Sequence, residues 1–358
     1  MTGSGRLTEA ITLYKQVLTD RIRVLGEDHP NTLTSRNNLA YAYKSAGRLT
    51  EAITLYKQVL PDRIRVLGED HPDTLGSRNN LAYAYESAGR LEEAITLYEQ
   101  VTKDFARVLG EDHPLTKTVR KNLAYTYYAV GRLEEAITLF EQVLSDSIRV
   151  LGEDHPDTLT SRKNLAYAYR AVGRLEEAIT LFEQVLSDRI RVLGEDHPDT
   201  LASRNNLAYA YYAVGRLEEA ITLYEQVLPD SIRVLGEDHP NTLASRNNLA
   251  GAYESAGRLE EAITLYEQVT KDCARVLGED HPDTLTSRNN LAGAYESAGR
   301  LEEAITLFEQ VLPDRIRILG EDHPDTLATL NALARAYKDA GFQNKATALL
   351  EGDTPTEE

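Results

Sequence analysis

Apolar and polar positions alternate at helical spacing along most of the chain. Over residues 73–88, at 100° per residue, Thr74, Leu81, Ala84, Tyr85 and Ala88 share one side, while Gly76, Asn79, Tyr83 and Glu86 share the other. Over residues 91–109 the stripe is broader. Leu91, Ala94, Ile95, Leu97, Tyr98, Val101, Val108 and Leu109 are apolar, and Glu92, Thr96, Glu99 and Lys103 lie opposite. A stripe that wide suits a helix packed on several neighbours. Gly89 and Gly110 follow the two helices where a C-terminal cap belongs, and Pro114 stands where the first turn of the next helix begins. No segment shows the period-two alternation of a strand, so the chain is expected to be all-α.

The pattern recurs. The eight histidines, His29, His71, His113, His155, His197, His239, His281 and His323, are each 42 residues apart. The block 194–235, GEDHPDTLASRNNLAYAYYAVGRLEEAITLYEQVLPDSIRVL, is copied with minor changes along the 358 residues. A fixed period of this size predicts an α-solenoid superhelix of antiparallel helix pairs in eight repeats, not several globular domains. The expected units lie near 5–46, 47–88, 89–130, 131–172, 173–214, 215–256, 257–298 and 299–340. A terminal helix over 342–351 completes a single array spanning 1–351, and 352–358 reads as a disordered acidic tail.

The string Asn80-Leu81-Ala82-x-Ala84-Tyr85-x-x-x-Gly89-x-Leu91-x-Glu93-Ala94-Ile95-x-x-Tyr98 resembles the tetratricopeptide repeat signature. Arg78 replaces the usual aromatic, and the unit is 42 residues instead of 34. The long form with Asn-Asn-Leu-Ala is similar to the repeats of kinesin light chain and nephrocystin-like proteins, and to arrays in bacterial signalling ATPases. The resemblance implies a scaffold whose first helices line a concave groove that captures peptides. A fold of this kind does not by itself assign a function.

The ends differ. Residues 5–7 align with 47–49, so the first element is a second-type helix without its partner, and its apolar residues Leu7, Ile11 and Tyr14 are expected to lie open. Self-association through that face is therefore expected. In the last copy, Leu330, Ala332 and Arg335 replace arginine, asparagine and tyrosine, as a capping unit requires. The start reads as a cut and the end as a true terminus, which predicts the C-terminal array of a longer protein.

Composition narrows the function. The net charge of −18 opposes nucleic acid or an anionic membrane surface as partner. No apolar run approaches a membrane span, no secretion signal opens the chain, and the lone Cys273 gives no disulfide framework; a cytoplasmic setting is expected. The Glu-Asp-His-Pro links suggest metal, but one histidine per link, on helices ~8–10 Å apart, offers no converging ligand set. A histidine bonded to the adjoining helix start is expected instead. No nucleophile or phosphate-loop motif is present, and Glu92-Glu93 suits a helix N-terminus. The chain reads as a non-enzyme with no cofactor and no metal site, and Cys273 as a dispensable thiol.

Two features of the second helix are harder to place. Pro61, Pro229 and Pro313 fall inside it at an exposed position, predicting a bend or a local break. Two residues on stand Arg21, Arg63, Phe105, Ser147, Arg189, Ser231, Cys273 and Arg315, which a straight helix would aim at the core. Arginine contradicts a core position, so either the helix bends or this end overhangs its neighbours.

The face of the first helix away from the core carries two asparagines in succession, although asparagine is a poor helix former. They could hold the backbone of an extended ligand, or they could bond neighbouring helices and set the superhelix. Aromatic and basic residues, the usual anchors of an interface, concentrate in copies three to five. The expected peptide-binding residues are Asn79, Lys121, Tyr125, Tyr128, Lys163, Tyr167, Arg170, Asn205, Tyr209, Tyr212 and Asn247. A local basic patch in an acidic protein predicts an extended protein or peptide segment with acidic and apolar residues. The alternatives are a sensor arm of a larger signalling ATPase and a self-associating structural array.

Overall fold

The computed structural model describes residues 3–351, with side chains from residue 6; the acidic tail lies outside the described residues. These residues form 17 helices and, among the described residues, no strand. The second-type helices are α1 (Gly3–Leu25), α3 (Leu49–Leu67), α5 (Leu91–Leu109), α7 (Leu133–Leu151), α9 (Leu175–Leu193), α11 (Leu217–Leu235), α13 (Leu259–Leu277) and α15 (Leu301–Leu319). The first-type helices are α2 (Pro30–Ser45), α4 (Pro72–Ser87), α6 (Pro114–Ala129), α8 (Pro156–Ala171), α10 (Pro198–Ala213), α12 (Pro240–Ser255), α14 (Pro282–Ser297) and α16 (Pro324–Asp339), and α17 (Gln343–Glu351) follows. The helices fall into two compact units, α1–α8 and α9–α17. Within each unit every helix packs on the next. First-type helices also touch each other, α2 on α4 in the first unit and α10, α12, α14 and α16 in succession in the second.

The links are built from the residues the sequence repeats. Gly89 adopts φ 71°, a left-handed conformation that costs glycine little. This lets Arg90 N–H donate to the Tyr85 carbonyl and Gly89 N–H to the Glu86 carbonyl, both at 2.9 Å, closing the end of α4. At the next start, His113 is the N-cap of α6, and its Nδ1 accepts from Leu115 N–H at 3.2 Å. All eight histidines cap a first-type helix in this way. The expected link histidine is therefore what the structure contains.

The core follows the predicted stripes. Tyr56, Tyr98, Phe182, Tyr224 and Phe308 of the second-type helices are fully buried, against Leu and Ala side chains of the first-type helices. Each such burial contributes about 1.5–3 kcal/mol. Helix α1 packs on one neighbour, α2, among the described residues. Tyr14 and Val17 occupy the positions of Tyr56 and Val59, yet they are 38% and 36% exposed where the latter are 0%. Leu13 is exposed beside them. The open face differs from expectation in one respect: Ile11 is buried, because the contact with α2 covers that side.

The arginine positions in the second-type helices correct the sequence argument. Pro61, Pro229 and Pro313 are exposed, and their helices run through them without a break. Two residues on, Arg63, Arg189 and Arg315 do not overhang; they are buried. Arg63 Nη1 donates to the Asp73 carbonyl at 2.6 Å and the Ser77 Oγ at 2.9 Å, both in α4, and Nη2 reaches Thr34 Oγ1 of α2 at 3.2 Å. Two of the three acceptors come from the opening turns of the following helix, and the third from the preceding one. A buried guanidinium is tolerated because such partners offset its desolvation. Arg78, at the aromatic position of the repeat signature, is also buried and pairs with Asp104 of α5. The same arrangement in α10 places Arg204 Nη1 3.1 Å from Asp230, which also accepts from Arg233 at 2.9 Å; Arg233 in turn reaches Asp196 at 3.1 Å in the preceding link. These ion pairs tie each repeat to its neighbour.

Candidate functional site

The residues singled out by sequence lie on the first-type helices, on the face turned away from the buried Leu and Ala positions. In the first unit α6 presents Lys121, Tyr125 and Tyr128, and α8 presents Lys163, Tyr167 and Arg170. Tyr125 is exposed, its ring edge-on to Phe140 at 5.4 Å between centroids, and its hydroxyl accepts from the Asn164 amide of α8. That bond brings the two helices together on this face. The Arg170 guanidinium lies 5.2 Å from the centre of the Tyr167 ring, so cation and aromatic form one surface. Asn79 of α4 differs from the other asparagines, because its Oδ1 is buried without a hydrogen-bond partner.

In the second unit α10 presents Asn205, Tyr209 and Tyr212, and α12 presents Asn247. The Tyr209 and Tyr212 rings lie 6.1 Å apart, and the Tyr212 hydroxyl is 3.0 Å from Ser255 Oγ of α12. Asn205 Oδ1 accepts from Ser245 Oγ at 3.1 Å, and Asn247 Oδ1 accepts from the Asn290 amide at 3.2 Å. In the first unit Asn37 Oδ1 likewise accepts from Ser77 Oγ at 3.2 Å. The carbonyls of Asn37, Asn205 and Asn247 thus join successive first-type helices, which is the second of the two roles the sequence left open; that of Asn79 does not.

Sequence reasoning passed over the acids on this same face. Glu86, at the position of Tyr128 and Arg170, is half-buried; burial raises its pKa, and its carboxylate accepts from the Tyr98 hydroxyl at 2.8 Å. Glu254 is also raised, chiefly by burial, while accepting from Ser297 Oγ at 2.9 Å. Arg335, which stands where most copies have tyrosine, grips Glu296 at 2.6 and 2.9 Å. In the first unit this face therefore carries an acid on α4 and basic residues on α6 and α8, and in the second unit it carries acids on α12 and α14. The signal lay in the residue types at one repeated position, Lys44, Glu86, Tyr128, Arg170, Tyr212, Glu254, Glu296 and Lys338. Near α2 the sign reverses again, with the Lys44 ammonium 3.4 Å from the Tyr83 ring centre.

Among the described residues no three His, Cys, Asp or Glu side chains converge on a metal position. None of the described helices is long and apolar enough to cross a membrane. Cys273 is buried and its thiol pKa is raised, mainly by that burial.

The tetratricopeptide repeat sequence pattern matches residues 2–64, 45–105, 77–146, 122–189, 164–231 and 205–273, and a second pattern of the same description matches 284–325. No curated protein matches the chain. Among solved structures, a kinesin light chain-like protein of nearly identical TPR-like repeats from Podosopora anserina is 40% identical. The match covers 57% of this chain and 97% of that one, with a TM-score of 0.51. The apo form of the quorum sensor NprR from B. thuringiensis is 16% identical over 97% of this chain and 96% of that one, with a TM-score of 0.66. A signal-transduction ATPase with a tetratricopeptide repeat sensor from Pyrococcus horikoshii is 15% identical over 96% of this chain and 52% of that one, with a TM-score of 0.59. The last two are likenesses of fold. The repeats, their helix pairs and these matches together place the chain in the tetratricopeptide repeat family.

Proposed function

We propose that this protein is a non-enzymatic scaffold, working in the cytoplasm, that binds an extended segment of a partner protein on the open face of its first-type helices. Tetratricopeptide repeat proteins generally mediate protein–protein interaction. The observation that carries the finer reading is the cluster on α6 and α8, where Lys121, Lys163 and Arg170 share a face with Tyr125, Tyr128 and Tyr167, and Arg170 lies over Tyr167, in a chain of net charge −18. The exposed Tyr125 ring and the half-buried Tyr128 and Tyr167, beside these cations, suit a segment that alternates acidic and apolar side chains. Asn79, Asn205, Tyr209, Tyr212 and Asn247 extend the same kind of surface onto the other copies. A hydrogen bond contributes only ~1 kcal/mol net, against an association cost of ~4–15 kcal/mol. The asparagines alone would therefore hold a segment weakly, and the aromatic and basic anchors are required.

The test is a charge reversal. A partner is captured from the source cell, its bound segment is mapped, and its affinity is measured for the wild type and for Lys121→Glu/Lys163→Glu/Arg170→Glu. The triple variant abolishes binding on this reading; unchanged affinity contradicts it.

Self-association is a second, independent reading, favoured by the exposure of Leu13, Tyr14 and Val17 on α1. We propose that two copies pair α1 against α1, each covering the stripe that a first-type helix covers elsewhere in the chain.

A further inference from the structure

The repeats form an internal series in which one position of the second-type helix varies while the residue fourteen positions on is a serine or threonine in every copy but the third, which has Val119 there. Four copies carry arginine there, and all four guanidinium groups find the same two acceptors. Arg21 Nη1 donates to the Asn31 carbonyl at 2.7 Å and Ser35 Oγ at 2.9 Å. Arg63 reaches the Asp73 carbonyl and Ser77 Oγ at 2.6 and 2.9 Å. Arg189 reaches the Asp199 carbonyl and Ser203 Oγ at 2.9 and 2.8 Å. Arg315 reaches the Asp325 carbonyl and Thr329 Oγ1 at 2.8 and 2.7 Å. The third copy fills the position with Phe105, which is fully buried.

In the seventh copy the residue is Cys273, too short to fill that space. A cavity of about 170 Å³ opens between α12 and α14, above Cys273. It is lined by the residues that receive the guanidinium elsewhere, Asp283 and Ser287 of α14, and its apolar walls are Leu243, Val269 and Leu277. Asn247, on the face assigned above to the bound segment, stands at its edge. Ser287 Oγ donates to the Thr284 carbonyl at 2.9 Å, which leaves its lone pairs to accept. No lysine or arginine lines the cavity.

We propose that this cavity is a guanidinium-binding pocket that receives an arginine side chain of the bound segment. The chain itself supplies the pattern for the ligand: a planar cation with several N–H donors, held by a main-chain carbonyl and a hydroxyl at the start of a helix, with its methylenes between aliphatic side chains. The acidic character of the protein favours a cation further. A similar cavity of about 270 Å³ lies over Ser147, lined by Thr118, Asp157 and Ser161, but Lys117 and Lys121 also border it. Those two lysines compete with a guanidinium for the acceptors there, Lys117 lying 3.9 Å from Asp112, whereas the Cys273 pocket has no cation of its own, so the assignment is to the Cys273 pocket.

The proposal rests on the open face as the binding surface for the choice of ligand, but the pocket can be tested without any partner. Cys273 is the only cysteine and forms the floor of the pocket. Its alkylation by iodoacetamide in the full chain is followed with ethylguanidinium, the arginine head group on a short stem, at concentrations far below denaturing ones. Ethylammonium and urea serve as controls. Saturable slowing of several-fold by ethylguanidinium, absent with both controls and weakened at least threefold in affinity by Ser287→Ala, supports the pocket. No slowing, equal slowing by ethylammonium, or protection untouched by Ser287→Ala overturns it. The charge-reversed variant at Lys121, Lys163 and Arg170 lies outside the pocket and keeps the protection even if the partner-binding reading fails.

Discussion

Arg63 of α3 donates from Nη1 to Ser77 Oγ of α4 at 2.9 Å, so a buried cation in one repeat is held by the opening turns of the next. The pair explains why arginine is acceptable at a position that helical periodicity assigns to the core. It also fixes how adjacent helices meet, because the serine and the Asp73 carbonyl are presented only when α4 is in register. Replacing Arg189 with alanine should leave Ser203 Oγ without its donor, remove one of the two side-chain donors to the Asp199 carbonyl (Ser203 Oγ still reaches it at 3.0 Å) and open a cavity. A cost of about 2–4 kcal/mol is expected. Arg189→Phe combined with Ser203→Val, the pair found at positions 105 and 119, should cost less than half as much. Chemical denaturation of the two variants checks the ranking, and an alanine variant as stable as wild type contradicts it.

The link histidines act as helix caps. His197 Nδ1 accepts from Asp199 N–H at 3.1 Å, as an aspartate or asparagine would in its place. His197→Ala should lower stability by about 1 kcal/mol, and His197→Asp should restore most of it. Denaturant midpoints of the two variants decide the matter; equal losses would show that the cap is not what the histidine provides.

Acid should act on this chain in two opposite ways. Burial raises the Glu254 pKa above its unfolded value, so its charged form opposes folding at neutral pH, and that penalty fades as pH falls toward the ordinary carboxylate range. Asp196 and Asp238 shift down because Arg233 and Arg275 donate to them, so their contribution is present above the ordinary range and lost as pH falls through the lowered pKa. Glu254→Gln should therefore raise Tm at pH 7 by about 1–3 °C, and the difference should close near pH ~4.5. A gain that persists at low pH would rule out burial of charge as its cause.

The face of α1 offers a concentration-dependent test. Leu13→Lys with Val17→Lys places two charges on the exposed stripe and should convert any dimer seen in sedimentation velocity to monomer, without loss of helix content. A wild type that stays monomeric at the highest attainable concentration contradicts the pairing of α1 helices.

Much of this architecture was legible because the chain repeats its own punctuation. Gly89, His113 and Pro114 mark helix ends by local backbone requirements, and the stripe around Tyr98 needs only periodicity to be seen. Arg63 and Arg78 were not legible in the same way. Their partners, Ser77 and Asp104, are 14 and 26 residues away, and a helical wheel ranks positions by apolarity without knowing which acceptors another helix presents. The candidate face was legible as a set of positions, since Tyr125 and Arg170 follow from spacing. The job done by Asn205 was not, because a hydrogen bond to Ser245 forms only after the helices stack. The alternating sign of charge at Glu86, Arg170 and Glu254 was visible in the residues, but its meaning depends on the burial that the structure supplies.

Hydrogen–deuterium exchange of the full chain, with and without its captured partner segment, tests the central claim most directly. Binding on the open face predicts slowed exchange in α6 and α8, around Tyr125 and Tyr167, with the exposed sides of α5 and α7 unchanged. Protection confined to the second-type helices, or to the links between repeats, would contradict it.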